Sequence, residues 1–119
     1  MTWVDATSGA FRLPARVEVS GLLRATEAQG GFGMVLRKGE PDAGTILLVI
    51  VEKQELAVLY ERLPQLDGTR RWSVSKQQVI DNKTEFEDYL SRRASQDPDV
   101  WIVELTVADS ERFIRDCLP

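Results

Sequence analysis

The sequence predicts an α+β fold, a run of turn-linked strands followed by helices packed on the sheet they form. Three observations carry the prediction. Thr45 to Glu52 reads "TILLVIVE" and is apolar on both sides of a period of two, which suits a central strand covered on each face. Phe32 to Arg37, Leu56 to Arg62 and Arg71 to Ser75 alternate as half-covered strands do. Val19, Leu22, Leu23 and Thr26, and later Phe86, Tyr89, Leu90 and Ala94, recur at helical spacing. The predicted order is α-β-β-β-β-α-β-α, an antiparallel or mixed sheet made of a meander plus a fifth strand.

Residues 1–13 mix small, polar and isolated aromatic residues without period and are expected to form a flexible arm, leaving 14–119 as a single α+β domain. A helix is predicted from Pro14 to Gln29, with Pro14 suited to a first turn and Gly30-Gly31 as its stop. The alternation of Val17, Glu18 and Val19 also fits a strand at its start. In the first predicted strand Phe32, Met34 and Leu36 alternate with Gly33, Val35 and Arg37. The segment Glu40-Pro41-Asp42-Ala43 has the residues of a type I turn, and Asp67-Gly68 those of a tight hairpin turn. Thr84 with Glu87 predicts a capping box opening the second helix, which Asp97-Pro98-Asp99 ends. Val100 to Val107 is a fifth strand, reached through a helix and therefore free to pair in parallel. Asp109 is the expected N-cap of a last helix with Phe113, Ile114 and Cys117 inward.

With 119 residues the chain can bury about two thirds of its unfolded surface. Its net charge of −4, with fifteen basic residues scattered rather than gathered, opposes nucleic-acid binding, which needs clustered cations to release counterions. One cysteine permits no intrachain disulfide and suits a reducing compartment, and no apolar run approaches the roughly 20 residues of a membrane span. The absence of a basic start and apolar h-region at the N-terminus adds to the expectation of a cytoplasmic protein.

Histidine is absent, which removes the imidazole general base, the Ser-His-Asp and Cys-His arrangements and the commonest transition-metal ligand. Cys117 reads as a small core residue. "GGFG" and "GEPDAG" lack the Lys-Ser/Thr of a phosphate loop and read as turns. Asp97 and Asp99, with Asp42 or Glu104, are the acids that a hard cation would need, but their spacing matches no known loop, so no metal or cofactor is expected. Arg70, Arg71 and Trp72 form the one local cation and aromatic cluster. Arg37 and Glu104 both share a strand phase with apolar neighbours, and two opposite charges leaning inward are expected to pair.

The blocks "VSGLLR", "GGFGMVLRKGEPDAGTILLV", "LYERLP", "RRW" and "DPDVWIVEL", in that order, resemble a small bacterial family catalogued as domain of unknown function 1491. The resemblance covers Pro14 to Leu105 and departs beyond it. It implies no activity. It marks Arg37, Gly39, Pro41, Asp42, Ala43, Gly44, Trp72, Asp97, Pro98, Asp99, Trp101 and Glu104 as family features, with Glu40 standing where the family often has aspartate. Arg37, Asp42, Trp72, Asp97, Asp99, Trp101 and Glu104 are thus the candidate ligand or interaction site, with no catalytic residue assigned. The function expected is a non-enzymatic protein-interaction or small-ligand-binding module. Its partner is an unidentified protein or small molecule, and an exposed sheet edge or the last helix is available for a homodimer. The alternative is a histidine-independent enzyme acting on a phosphorylated or acylated small molecule through Arg37, Asp42 and Glu104, which requires those groups to converge in one pocket.

Overall fold

A computed structural model, which describes residues 13–52 and 55–118, shows the element order read from the sequence. The elements are α1 (Ala15–Ala28), β1 (Phe32–Arg37), β2 (Ile46–Glu52), β3 (Val58–Pro64), β4 (Arg70–Gln77), α2 (Lys83–Gln96), β5 (Trp101–Val107) and α3 (Ser110–Cys117). The arm expected over residues 1–13 lies, apart from Leu13, outside the described residues.

The strands form one mixed sheet in the order β1-β5-β2-β3-β4. β5 runs parallel to β2 and antiparallel to β1, and β2, β3 and β4 are antiparallel neighbours. The meander is therefore β2-β3-β4, and β5 separates β1 from β2. An almost continuously apolar β5 needs a neighbour on each side and a cover on each face, which only the sheet centre offers.

Strand β2 divides its side chains between two cores, as its pattern predicts. Ile46, Leu48 and Ile50 pack with Val19 and Leu22 of α1, Val103 and Leu105 of β5 and Phe113 of α3. Leu47 and Val49 pack on the other face with Leu59, Ile102 and Phe86 of α2, and Val51 borders them. The result is three layers, with α1 and α3 on one face and α2 on the other.

Local chemistry fixes the helix ends. Gly30 closes α1 at φ 83°, the left-handed region that glycine enters at little cost, and donates its N–H to Glu27 O at 2.9 Å. The expected capping box at Thr84 does not form. Asn82 caps α2 instead, accepting from Glu85 N at 3.2 Å, because its bridge to Val79 delivers the chain to the helix earlier. Asp109 caps α3 as expected, accepting from Arg112 N at 3.1 Å, and Glu52 Oε1 accepts from Ser110 N and Oγ at 3.0 and 2.8 Å. The hairpin of β3 and β4 is wider than the two-residue turn expected: Gln65 N donates to Thr69 O at 2.7 Å, with Gly68 at φ 88° inside.

Two ion pairs clamp that hairpin to both helix layers. Arg62 of β3 bonds the Glu18 carboxylate of α1 with both terminal nitrogens and stacks on Trp72, 4.7 Å from the ring centroid. Glu61, its neighbour on the opposite face, accepts from Arg93 of α2 and from Ser75 Oγ, each at 2.7 Å.

Strand β1 does not keep the alternation predicted: Phe32, Met34, Val35 and Leu36 are all exposed, and a bulge between Val35 and Arg37 breaks the period. On the α1 side a Cβ at Gly33 would stand 2.5 Å from Leu23 Cδ2 and 3.1 Å from Leu105 Cδ2, so a larger residue has to displace those side-chain ends. On the α2 side Phe32 and Met34 stand beside Thr106 and Glu104. Helix α2 packs over β2, β3 and the start of β5 and leaves Phe32, Met34 and Leu36 respectively 58%, 43% and 48% exposed.

Candidate functional site

The loop from Gly39 to Gly44 is an architectural junction. Glu40 N donates to Asp99 O at 3.0 Å, and the Trp101 indole N–H donates back to Glu40 O at 2.8 Å. The Glu40 carboxylate accepts from the N–H groups of Asp42 and Ala43 at 3.0 and 2.6 Å, and Gly44 N closes the turn onto Glu40 O at 3.2 Å, one residue wider than the type I turn expected. The outer side of the loop serves α1. Asp42 O and Pro41 O accept from Ala15 N and Arg16 N at 3.0 and 2.8 Å, satisfying donors that a helix start leaves without partners. An exposed ion pair from Arg16 to Asp42 at 2.8 Å adds little. A Cβ at Gly39 would stand 2.7 Å from both the Trp101 ring and the Val100 carbonyl carbon, and one at Gly44 would stand 2.8 Å from Glu40 O. Close backbone approach is why both positions are glycine.

Five of the seven predicted site residues meet at this junction. Asp42, Asp99 and Trp101 build it, Asp97 Oδ1 accepts from Asp99 N at 3.1 Å, and Arg37 donates from Nη2 to Pro98 O at 3.1 Å. The Arg37–Glu104 pair does not form. A bulge between Val35 and Arg37 sets Arg37 against Ile102, nearer the start of β5, while Glu104 stands opposite Met34. The Nε of Arg37 is buried without a hydrogen-bond partner.

Trp72 and Glu104 lie apart from the junction and from each other. Trp72 packs against the core shared by α1 and α3, and Glu104 lines a groove of about 220 Å³ on the α2 face with Leu36, Val49, Phe86 and Leu90. A second cleft of about 160 Å³ opens where α1, the Gly39–Gly44 loop and the β3–β4 hairpin meet, lined by Ala15, Glu18, Asp42, Gly44, Arg62 and Arg70. Its Glu18 and Arg62 are bound to each other. Among the described residues no three acids or thiols group closely enough to hold a metal ion.

Sequence reasoning named an exposed sheet edge without saying which strand forms it, and the two edges of the sheet differ sharply. β4 carries Arg70, Arg71, Lys76 and Gln77, the charged composition that discourages further strand pairing. β1 carries Phe32, Met34, Val35 and Leu36, all exposed, and its only charge is Arg37 at the end. The signal was in the alternation itself, where glycine rather than a large residue stands on the side that α1 covers.

The fold defines a small three-layer α+β protein whose edge strand β1 leaves four apolar residues exposed, Phe32, Met34, Val35 and Leu36. The chain belongs to the family described as "Protein of unknown function (DUF1491)", whose profile matches residues 13–115 and so runs past Leu105 into α3. A crystal structure of a DUF1491 family protein from Caulobacter crescentus CB15 is similar to it at 31% identity with a TM-score of 0.78, covering 91% of this chain and 98% of that one. An NMR structure of a DUF1491 family protein from the same organism gives 31% identity and a TM-score of 0.70, covering 84% and 90%. A solution structure of a protein from A. tumefaciens gives 29% and 0.69, covering 83% and 89%. Among curated proteins none matches.

Proposed function

We propose that this protein is a non-enzymatic protein-interaction module that binds through the outer edge of β1. The observation that carries the reading is the exposed apolar run Phe32, Met34, Val35 and Leu36 on a strand that ends the sheet. Such an edge offers backbone donors and acceptors for an added strand together with side chains that gain by leaving water. The described clefts, 110 to 220 Å³, are smaller than the roughly 300 to 1,000 Å³ of small-molecule sites, which favours a protein partner over a metabolite. The rival enzyme reading needs Arg37, Asp42 and Glu104 together. Arg37 is bound to the 97–99 turn, while Asp42 and Glu104 line separate clefts. The setting proposed is the cytoplasm, in keeping with the lone cysteine and with described helices too short and polar to cross a membrane.

The test is a photo-crosslinking amino acid placed at Leu36 in cells that produce the protein. Discrete protein adducts should form, and Met34→Lys in the same chain should abolish them, because a cation on the strip opposes its desolvation. Adducts that are absent, or indifferent to Met34→Lys, would overturn the reading.

A further inference from the structure

We infer that the partner of β1 is a second copy of this chain, joined edge to edge in antiparallel register about a two-fold axis at Met34. The inference rests on the protein-interaction reading and names its partner. A two-fold centred there sets Phe32 beside Leu36 of the second copy and Met34 beside Met34. These three side chains are the most exposed of the strand's apolar residues, so each copy covers the other's apolar strip with its own. Leu36 also lines the α2-side groove, so the same register brings the second copy's Phe32 ring to the groove mouth.

Charge at the two ends of the strand selects this orientation. β1 ends in Arg37 and leads into exposed Lys38, and it begins just after the C-terminus of α1. That terminus carries Glu27 and has no basic residue in its last turn, so the negative end of the helix dipole lacks the usual cation. Neither Lys38 nor Glu27 forms an ion pair among the described residues. Antiparallel pairing about Met34 places Lys38 of each copy opposite Gly30 of the other, at that helix end. Parallel pairing would set Lys38 against Lys38 and Glu27 against Glu27. The opposite edge offers no such match, since β4 carries cations near both ends, Arg70, Arg71 and Lys76, and no acid.

Sedimentation velocity over a concentration series should show a reversible species of twice the 13.4 kDa chain mass. Lys38→Glu and Glu27→Lys should each weaken dimerisation by about tenfold, because each contact occurs twice and becomes repulsive, and the two changes combined in one chain should restore it. Met34→Cys, made with Cys117→Ser, tests the register: opposed residues of antiparallel strands have Cα atoms about 4.5 to 5.5 Å apart, within disulfide range. Diamide should convert that variant to a covalent dimer, and Ile80→Cys in the same background should form no disulfide-linked dimer. A chain that remains monomeric at about 100 μM, a concentration at which even weak pairs assemble, overturns the inference. So does a dimer in which the charge reversals fail to compensate or Met34→Cys fails to crosslink. If the Leu36 photo-crosslinks join a different protein while this chain stays monomeric, self-pairing fails and the interaction reading stands. If there are neither adducts nor dimers, both fail.

Discussion

Alanine in place of Leu48 lowers the free energy of unfolding by about 3 to 5 kcal/mol, the upper part of the range for deleting a well-packed core side chain. Leu48 is 0% exposed and occupies the middle of β2, between β5 and β3 in the sheet and in the core shared with α1 and α3. Its neighbours belong to a central strand and to helices fixed at both ends, so the cavity has little freedom to collapse. Leu36→Ala serves as the comparison, because an exposed edge position should cost the isolated chain no more than about 0.5 kcal/mol. Chemical denaturation measures both. A loss below about 1 kcal/mol at Leu48 would contradict its place at the sheet centre.

Gly39→Ala has the second largest effect, a loss of about 2 to 4 kcal/mol from overpacking together with broken hydrogen bonds. The added methyl would meet Asp99 O, the Val100 carbonyl carbon and the Trp101 ring, and the first two are backbone that cannot rotate away. Displacing the loop would pull Glu40 O from the Trp101 indole and the Pro41 and Asp42 carbonyls from the start of α1. Trp101→Phe isolates one part of this: it keeps most of the ring, removes the donor to Glu40 O and should cost about 1 kcal/mol in hydrogen bonding. A Gly39→Ala variant as stable as the parent in thermal and chemical unfolding would show that the loop is not the junction described.

Much of the fold was legible because burial on two faces, burial on one face and helical burial leave different periods. Ile46 to Val51 carried the centre of the sheet, and Phe86, Tyr89, Leu90 and Ala94 carried the inner face of α2. Strand order was not legible. The hairpin pattern puts β1 next to β2, and only the need to cover both faces of β5 separates them. Partners were harder to read than phases. Glu104 keeps the phase of Ile102, but a bulge takes Arg37 out of the phase of Val35, sets it opposite Ile102 and leaves its side chain to bond Pro98 O. Glu18 with Arg62, and Glu61 with Arg93, pair across 44 and 32 residues of sequence, a separation at which no local spacing signals a contact. The motif residues around Gly39–Gly44 drew attention as a site because glycine, proline and acids mark both ligand loops and tight junctions. The close approach of Asp99 O accounts for the glycines by packing alone.

The exposed β1 edge was hidden for a different reason. The alternation of Phe32, Met34 and Leu36 with Gly33, Val35 and Arg37 reads as a half-covered strand and does not say which set is covered. Here Gly33 faces α1 with Leu23 close by, and Phe32, Met34 and Leu36 lie on the side that α2 leaves open. Amide hydrogen exchange along Phe32–Arg37 and Arg70–Gln77, followed as protein concentration rises, tests this assignment most directly. Exchange that slows across β1 and stays constant across β4 is the predicted result. Exchange unchanged at β1, or slowed equally at both edges, would contradict the assignment of β1 as the surface through which the chain associates.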